Sequence, residues 1–418
     1  MSVPGVGPLR IAIVGGGIGG LTLAIALRQR GLAADVYEQA PALAEIGAAV
    51  ALSANATREL ARLGVLDALD AVSVEPSELI YRNWRDGRRV AAHPVREGGA
   101  YRARFGAPYY GIHRADLQRV LGGALTGEGL HLGHRLTSLE DRGATMLLGF
   151  ANGHVAEADL VIGADGVRSL VRGFVTEHQE HAGAQYSGTS AFRGIVSSEA
   201  LPSLPDPEAI QFWMGPNAHL LHYAIGPGAS HVNYFAVTEG PAAWAGPGYT
   251  APIAPDEALA AFRGWHPAVV EMIAATPQTP EHRSLRWALM VVPYLMTWHR
   301  NRAVLLGDSA HAMVPHHGQG ANTTIEDAIT LAELLPGRSR GDVCDVLGPY
   351  QSLRRARTRK IQRSAWMTNH ALHLSDDADL GARDARLAAF PEEFGWIHEH
   401  DALHSARASL GASVDVAA

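Results

Sequence analysis

One apolar pattern opens the chain and another replaces it near residue 185. Residues 11–14 form an unbroken apolar run, as a strand buried on both faces requires. A glycine-rich stretch follows. Residues 21–30 then predict a helix, with Gly31 where a C-cap glycine belongs. Residues 34–38 predict the next strand, which completes a βαβ unit. Residues 55–69 are amphipathic and predict a helix, and another is predicted from Ala115. Two strands are predicted to turn at Asn152-Gly153, a hairpin signal, before a third over 159–163.

Beyond residue 185, "AIQFWMGPNAHLLHYAIGPGASHVNYFAVTE" holds three short β-like runs with turns at Gly215-Pro216 and Gly226-Pro227. That predicts an antiparallel sheet in a second domain. "RAVLLGDSA" from Arg302 returns to the buried-strand pattern, and the chain reads as mostly helical from Ile325 to about His373. The expected fold class is therefore α/β. A Rossmann-like nucleotide-binding domain, discontinuous over 1–184 and 299–335, would hold an inserted antiparallel β-sheet substrate domain over 185–298. A helical C-terminal part would occupy 336–418. The two ends, 1–9 and 409–418, read as loose.

Composition excludes several classes. A net charge of −7 without a long basic patch argues against a nucleic-acid partner; the basic run 354–360 reads as a solvated helix face. One cysteine, Cys344, excludes internal disulfides and thiolate metal clusters. The apolar run at residue 11 is broken by glycines, unlike a cleaved leader, and no stretch of about 20 apolar residues occurs. No membrane partner and a cytoplasmic location are expected.

Three motifs carry chemistry. In Gly15-x-Gly17-x-x-Gly20, the first glycine permits a tight turn, the second lets backbone approach a pyrophosphate, and the third lets helix pack on strand. Glu38 ends the second strand, where a carboxylate takes ribose hydroxyls. The second motif is Asp165-Gly166, followed by Arg168 and Arg172; alone it reads equally well as an ordinary strand-to-helix turn. The third is "LLGDSAHAMVPHHGQGANTTIEDA" from Leu305. A zinc reading through His311, His316 and His317 lacks ligand spacing and a completing acid or cysteine. A hydrolase reading through Ser309 lacks the nucleophile elbow. A cofactor reading fits best: Asp308 accepts from sugar hydroxyls, and residues 318–322 open a helix with backbone N–H groups facing an electron-rich ring edge.

In this order, the three motifs resemble those of the group A flavoprotein monooxygenases, the para-hydroxybenzoate hydroxylase superfamily. The salicylate hydroxylase and 6-hydroxynicotinate 3-monooxygenase branch is the most similar, over roughly residues 9–370. The resemblance implies FAD, contacted by Gly15, Gly17, Ile18, Gly19, Gly20, Glu38, Gln39, Asp165, Asp308, Gly318, Gly320, Ala321 and Asn322. "GIHRADL" resembles a segment that places Arg114 at the cofactor phosphates with Gln118 a turn later, and Leu136 falls at a backbone contact to adenine. Residues 45–60 resemble the segment passing the isoalloxazine; Ala51 stands where related nicotinate enzymes carry a histidine base, so that role is vacant or filled from elsewhere.

Strand alternation puts His219, Leu221 and Tyr223 on one face and His222 on the other. The resemblance implies that His219, Tyr223 and His316 form the catalytic and substrate-site polar set, with Arg193 a candidate for a substrate carboxylate. It further implies NADH or NADPH as a transient reductant, O₂ as co-substrate and a flavin C4a-hydroperoxide as oxidant. The expected reaction is hydroxylation, decarboxylative where the carboxylate-bearing carbon is attacked, of a small hydroxylated aromatic or heteroaromatic acid. Alternative readings are a hydroxylase or epoxidase of a larger secondary metabolite, and a non-oxygenating FAD- and ligand-binding protein. A homodimer is the assembly the resemblance implies.

Overall fold

The structure is a computed structural model and describes residues 8–415 apart from 44–48, 126–128, 178, 180, 247, 255, 278–284 and 377. The expected segment 45–60 thus lies partly outside the described residues, as do most of the N-terminal nine.

Strand Ile11–Val14 is almost wholly buried and sits inside a six-stranded sheet. The sheet order is His299–Arg300, Ala303–Leu305, Leu160–Gly163, Ile11–Val14, Ala34–Tyr37, Leu130–His131. All pairs are parallel except the first. Ala303–Leu305 is the late strand that makes this domain discontinuous. Helix Ile18–Gln29 is buried on every side from Ile18 to Leu27, which explains its lack of a polar stripe. One side meets the sheet and another meets helix Gln319–Leu334. The hairpin turning at Asn152-Gly153 forms, Met146–Phe150 against Val155–Ala158, within a separate three-stranded sheet.

The second domain is built on an eight-stranded sheet. Strand Gln185–Ser197 pairs with His231–Glu239, then come Ala218–Ile225 and Ile210–Gly215, all antiparallel. Two further strands, Glu78–Asn83 and Arg89–Pro94, join its edge from within the first sequence segment, Glu78–Asn83 in parallel with Ile210–Gly215. The alternation that separates His219 from His222 also separates the sheet's two faces. Phe192, Leu220, Trp213 and Ala236 pack one face under helix Pro267–Ala274. The other face carries Arg193, Phe235, Leu221 and Tyr223 toward the first domain.

Two expectations need correction. Residues 55–69 form two helices, Ala54–Arg62 and Leu66–Asp70, because Gly64 turns with φ 75° between them. The C-terminal stretch is not loose up to Asp415: helix Ala402–Asp415 packs on Gln319–Leu334, burying Ala402 and Ala406.

A buried ionic cluster ties the domains' helices together. The basic run 354–360 is not simply a solvated face, because its first residue is drawn inward: Arg354, on the 26-residue helix Leu347–Leu372, donates to Asp327 Oδ1 (2.6 Å) and Glu326 Oε2 (2.7 Å), all three at most 1% exposed. Burial pushes both carboxyls upward, but Arg357 and then Arg354 hold Glu326, and His311 and then Arg354 hold Asp327, below the usual carboxylate range. Removing one partner of a buried pair strands the others' charge. Arg354→Met is therefore expected to cost about 3–5 kcal/mol of stability, read as a shift in urea midpoint. A variant as stable as the parent would show that the carboxylates are neutral in the fold.

Candidate functional site

A cavity, partly open to solvent, lies between the two domains. Its floor is built from chain reversals at strand ends. Gly17, Ile18 and Gly19 follow the first strand, Ala164 and Gly166 follow Leu160–Gly163, and Gly307 and Asp308 follow Ala303–Leu305. Gly318, Gly320 and Ala321 bring the N-terminus of helix Gln319–Leu334 to the same space, so two helix N-termini converge there. Ala49, Val50 and Ala51 form one wall. The roof is the sheet face with Arg193, Leu221, Tyr223, Asn233 and Phe235.

The glycine turn is fixed by close contacts. A Cβ on Gly15, which has φ 111°, would lie 2.3 Å from the Ala164 carbonyl oxygen, and one on Gly20 1.9 Å from that of Gly15. Gly17 differs. A Cβ there would meet nothing within 4 Å, although its φ of −74° is ordinary. The close packing explains Gly15 and Gly20; an elongated ligand passing over the turn would explain Gly17. Gln118 Nε2 donates to the Gly16 carbonyl (3.0 Å), while its buried Oε1 finds no partner among the described residues. Two helix N-termini, an open glycine and an unused buried acceptor fit a dinucleotide whose pyrophosphate crosses the turn.

Several expected cofactor residues hold this cradle rather than line it. Glu38 accepts from Gly16 N (2.7 Å) and Ala40 N (2.8 Å), bracing the turn with both carboxylate oxygens. Asp165 accepts from Ser169 Oγ (2.5 Å) and from the N–H groups of Leu170 and Val171, starting its own helix. Burial pushes its carboxyl upward and these bonds oppose the shift. Asn322 accepts from Ser53 N (2.9 Å) and donates to the carbonyls of Ala51 (2.9 Å) and Gly318 (2.7 Å), fastening the Ala51 wall to the helix start. Gln39 is exposed, and Leu136 begins the three-stranded sheet opposite Phe150; neither lines the cavity. Asp308 and Arg114 do line it.

On the roof, Arg193 is sandwiched between Phe235 and Trp287, with its guanidinium carbon 4.7 and 4.6 Å from the ring centroids. Its Nε has no hydrogen-bond partner, and it forms no ion pair among the described residues. Burial, reinforced by nearby Arg114, pulls the guanidinium down to about 10. Tyr223 faces the same cavity, and burial pushes its phenol up. His219 and His316 come together, ring centroids 5.0 Å apart, but sit just behind the wall, both nearly fully buried. Burial holds both rings well below the usual histidine range. Neither ring nitrogen of His316 has a partner among the described residues.

The three histidines of the zinc reading are dispersed. His311 Nε2 pairs with Asp327 Oδ2 (2.5 Å), and His317 Nε2 bonds Ser364 and Thr368. Ser309 Oγ is consumed by backbone carbonyls. Sequence reasoning missed Phe235, Trp287 and Thr324. Strand alternation around Tyr234 could have found Phe235, but nothing local signals that Trp287 stacks on Arg193.

Two outcomes follow. Gly17→Val should fold with an unchanged denaturation midpoint yet lose bound FAD, read from the visible flavin absorbance; full FAD content would place the cofactor off this turn. His317 and His400 are each depressed by burial from 6.5 to about 4. Their contribution is complete above about pH 6.5, and it is lost as pH falls toward 4, because the unfolded chain takes up protons first. The urea midpoint should therefore drop across that window at constant salt. A flat profile would mean both rings titrate normally.

The sequence profile of the family described as FAD binding domain matches residues 9–365. The 3-amino-4-hydroxybenzoate 2-monooxygenase of Streptomyces cremeus is 36% identical over 392 residues, covering 93% of this chain and 95% of that protein. The 6-hydroxynicotinate 3-monooxygenase of Bordetella bronchiseptica is 33% identical, covering 85% and 90%. Among solved structures, a salicylate hydroxylase substrate complex superposes with a TM-score of 0.81 at 27% identity, covering 96% and 97%. Glycine turn, Asp165-Gly166 and Gly307-Asp308 all border one cavity in this chain, and the relatives match 85–93% of its length: it belongs to the FAD-dependent aromatic monooxygenases.

Proposed function

We propose that this enzyme hydroxylates a small hydroxylated aromatic or heteroaromatic acid, with NADH or NADPH as transient reductant and O₂ as co-substrate. The observation that carries this reading is Arg193: a guanidinium held between two aromatic rings, facing the cavity, with no carboxylate of the chain beside it among the described residues. A buried cation without a partner is costly, so the site favours an anionic ligand. The two rings also make an apolar wall suited to an aromatic ring. The relatives' names point the same way, to an aminohydroxybenzoate and a hydroxynicotinate. The reaction class expected is that of the NAD(P)H-dependent flavin monooxygenases, and a homodimer is proposed as the assembly.

FAD, when bound and reduced, supplies the activation of O₂. The chain's own residues supply the rest. Helix N-termini at Ile18 and Gln319 favour the negative charge of the pyrophosphate and of the reduced ring. Arg193 orients the acid, and Leu221 and Phe235 exclude water beside it. Ala51 offers no proton acceptor at the wall; on the roof strand Tyr223 lines the cavity, and His219 lies behind it on the same strand face.

The test is NADH and NADPH consumption by FAD-loaded protein against hydroxybenzoates, aminohydroxybenzoates and hydroxypyridine acids, with product mass and H₂O₂ followed together. Ligand-stimulated consumption with a product gaining one oxygen supports the reading. Consumption yielding only H₂O₂ from every acid would sink it. Arg193→Met should weaken binding of the carboxylate substrate by about 2–5 kcal/mol while FAD content stays unchanged; equal loss for an uncharged amide analogue would mean that Arg193 does not hold the carboxylate.

A further inference from the structure

A second cavity, of about 230 Å³, is bounded by the sheet-edge strands Glu78–Asn83 and Arg89–Pro94, by helix Ala100–Phe105 and by helix Phe390–His398. No residue lines both this cavity and the one between the domains. Tyr109 faces the second and Tyr223 the first, and both pack in one apolar cluster. An internal space of about 150 Å³ walled by apolar side chains is enough to hold benzene. This one has room for a single substituted ring.

The walls are mainly rings and aliphatic chains, among them Leu79, Val95, Phe105, Tyr109 and Phe390. The lining groups that carry or could carry charge are spent or neutral. Arg104 donates to Glu392 Oε1 (3.0 Å) and to the Pro391 carbonyl (2.8 Å), tying the two helices together. His93 Nε2 donates to the Leu387 carbonyl (2.8 Å). Burial pushes the His398 ring down to about 3, so it is neutral at ordinary pH.

His398 nevertheless brings an unspent donor. It is 5% exposed, and its ring centroid lies 5.4 Å from that of Phe105 and 6.0 Å from that of Phe390. Tyr101 Oη accepts from Ala54 N (3.0 Å) and lies 2.6 Å from His398 Nδ1. The phenol's own proton therefore goes to Nδ1. A neutral imidazole that accepts at Nδ1 carries its proton on Nε2. No hydrogen bond reaches that nitrogen among the described residues. A buried donor left unpaired is costly, and an acceptor placed in the cavity would relieve the cost.

We propose that this cavity is a second ligand site, for a neutral single-ring aromatic bearing an acceptor oxygen, of the aryl ketone or aldehyde class. The ring packs among Phe105, Tyr109 and Phe390, and the oxygen accepts from His398 Nε2–H. A carboxylate is disfavoured, because Arg104 is already paired and a buried anion without a cation is expensive. The selectivity is thus opposite to that of the first cavity, where Arg193 favours an acid. The site does not depend on the substrate reading above.

The experiment titrates FAD-loaded enzyme with 4-fluoroacetophenone and reads binding by ¹⁹F NMR. Saturable binding is expected. Val95→Phe fills the cavity and should weaken binding by roughly 10-fold or more, with FAD content unchanged. Parent enzyme should bind 1-ethyl-4-fluorobenzene, which keeps the ring and lacks the oxygen, roughly 5-fold more weakly than the ketone. Any binding of 4-fluorobenzoate should be the same in parent and Val95→Phe. Absence of ketone binding overturns the site, as does equal affinity in Val95→Phe. Equal affinity for the ethyl compound overturns the part given to His398, and benzoate binding that falls with the ketone's overturns the selectivity. A ¹⁵N spectrum of the parent's histidines should show His398 protonated on Nε2; protonation on Nδ1 overturns the donor. Should Val95→Phe not fold, Leu79→Phe fills the same space from the neighbouring strand and decides.

Discussion

The site depends on one buried contact, Arg354 with Asp327. Asp327 accepts from Arg354 through Oδ1, and through Oδ2 from Gly307 N (3.0 Å) and His311 Nε2. The neighbouring Glu326 accepts from Arg354, Arg357 and Asn55 Nδ2 (2.6 Å). Two adjacent residues of one helix thereby fix the Gly307-Asp308 turn, the Ala54–Arg62 helix and the long C-terminal helix relative to each other. Such a cluster gains little free energy over an apolar core of the same volume. What it provides is position: the helix N-terminus at Gln319 and the turn at Gly307 face the cavity together because their supports share a carboxylate.

The same economy governs the cradle. Glu38, Asp165 and Asn322 spend most of their hydrogen-bonding capacity on backbone groups of the segments they sit beside, so the backbone facing the cavity is held rigid. Asn322 is the clearest case, since it ties the strand carrying Ala51 to the residue before the helix. On the roof the logic inverts. Among the described residues Arg193 is held by ring stacking, which fixes the plane of the guanidinium and leaves its Nε donor for something that enters.

What could be read from sequence was what has a fixed local spacing. The glycine turn, the buried strands at 11–14 and 303–305, and the alternation of His219, Leu221 and Tyr223 all follow from periods of a few residues. Strand Gln185–Ser197 was harder, because glycine, serine and arginine interrupt its apolar pattern; it is stabilised by neighbours on both sides rather than by its own composition. The two edge strands at 78–94 were invisible as part of the second domain, since their pairing partner lies more than a hundred residues on. Residue roles were legible as chemistry but not as direction. Nothing local shows that Asp165 turns back to its own helix, or that His219 meets a histidine beyond a 26-residue helix.

Order of synthesis matters for a sheet assembled this way. Strand Leu160–Gly163 has Ile11–Val14 on one side and Ala303–Leu305 on the other. A ribosome-bound chain ending before residue 303 would present a fully apolar, unpaired parallel edge, the kind that recruits other chains. It would also lack the Gly307 turn and the Gln319 helix, so the cradle is incomplete at that stage. A cradle drawn from residues 17, 166, 307 and 320 is complete only after three quarters of the chain has been made.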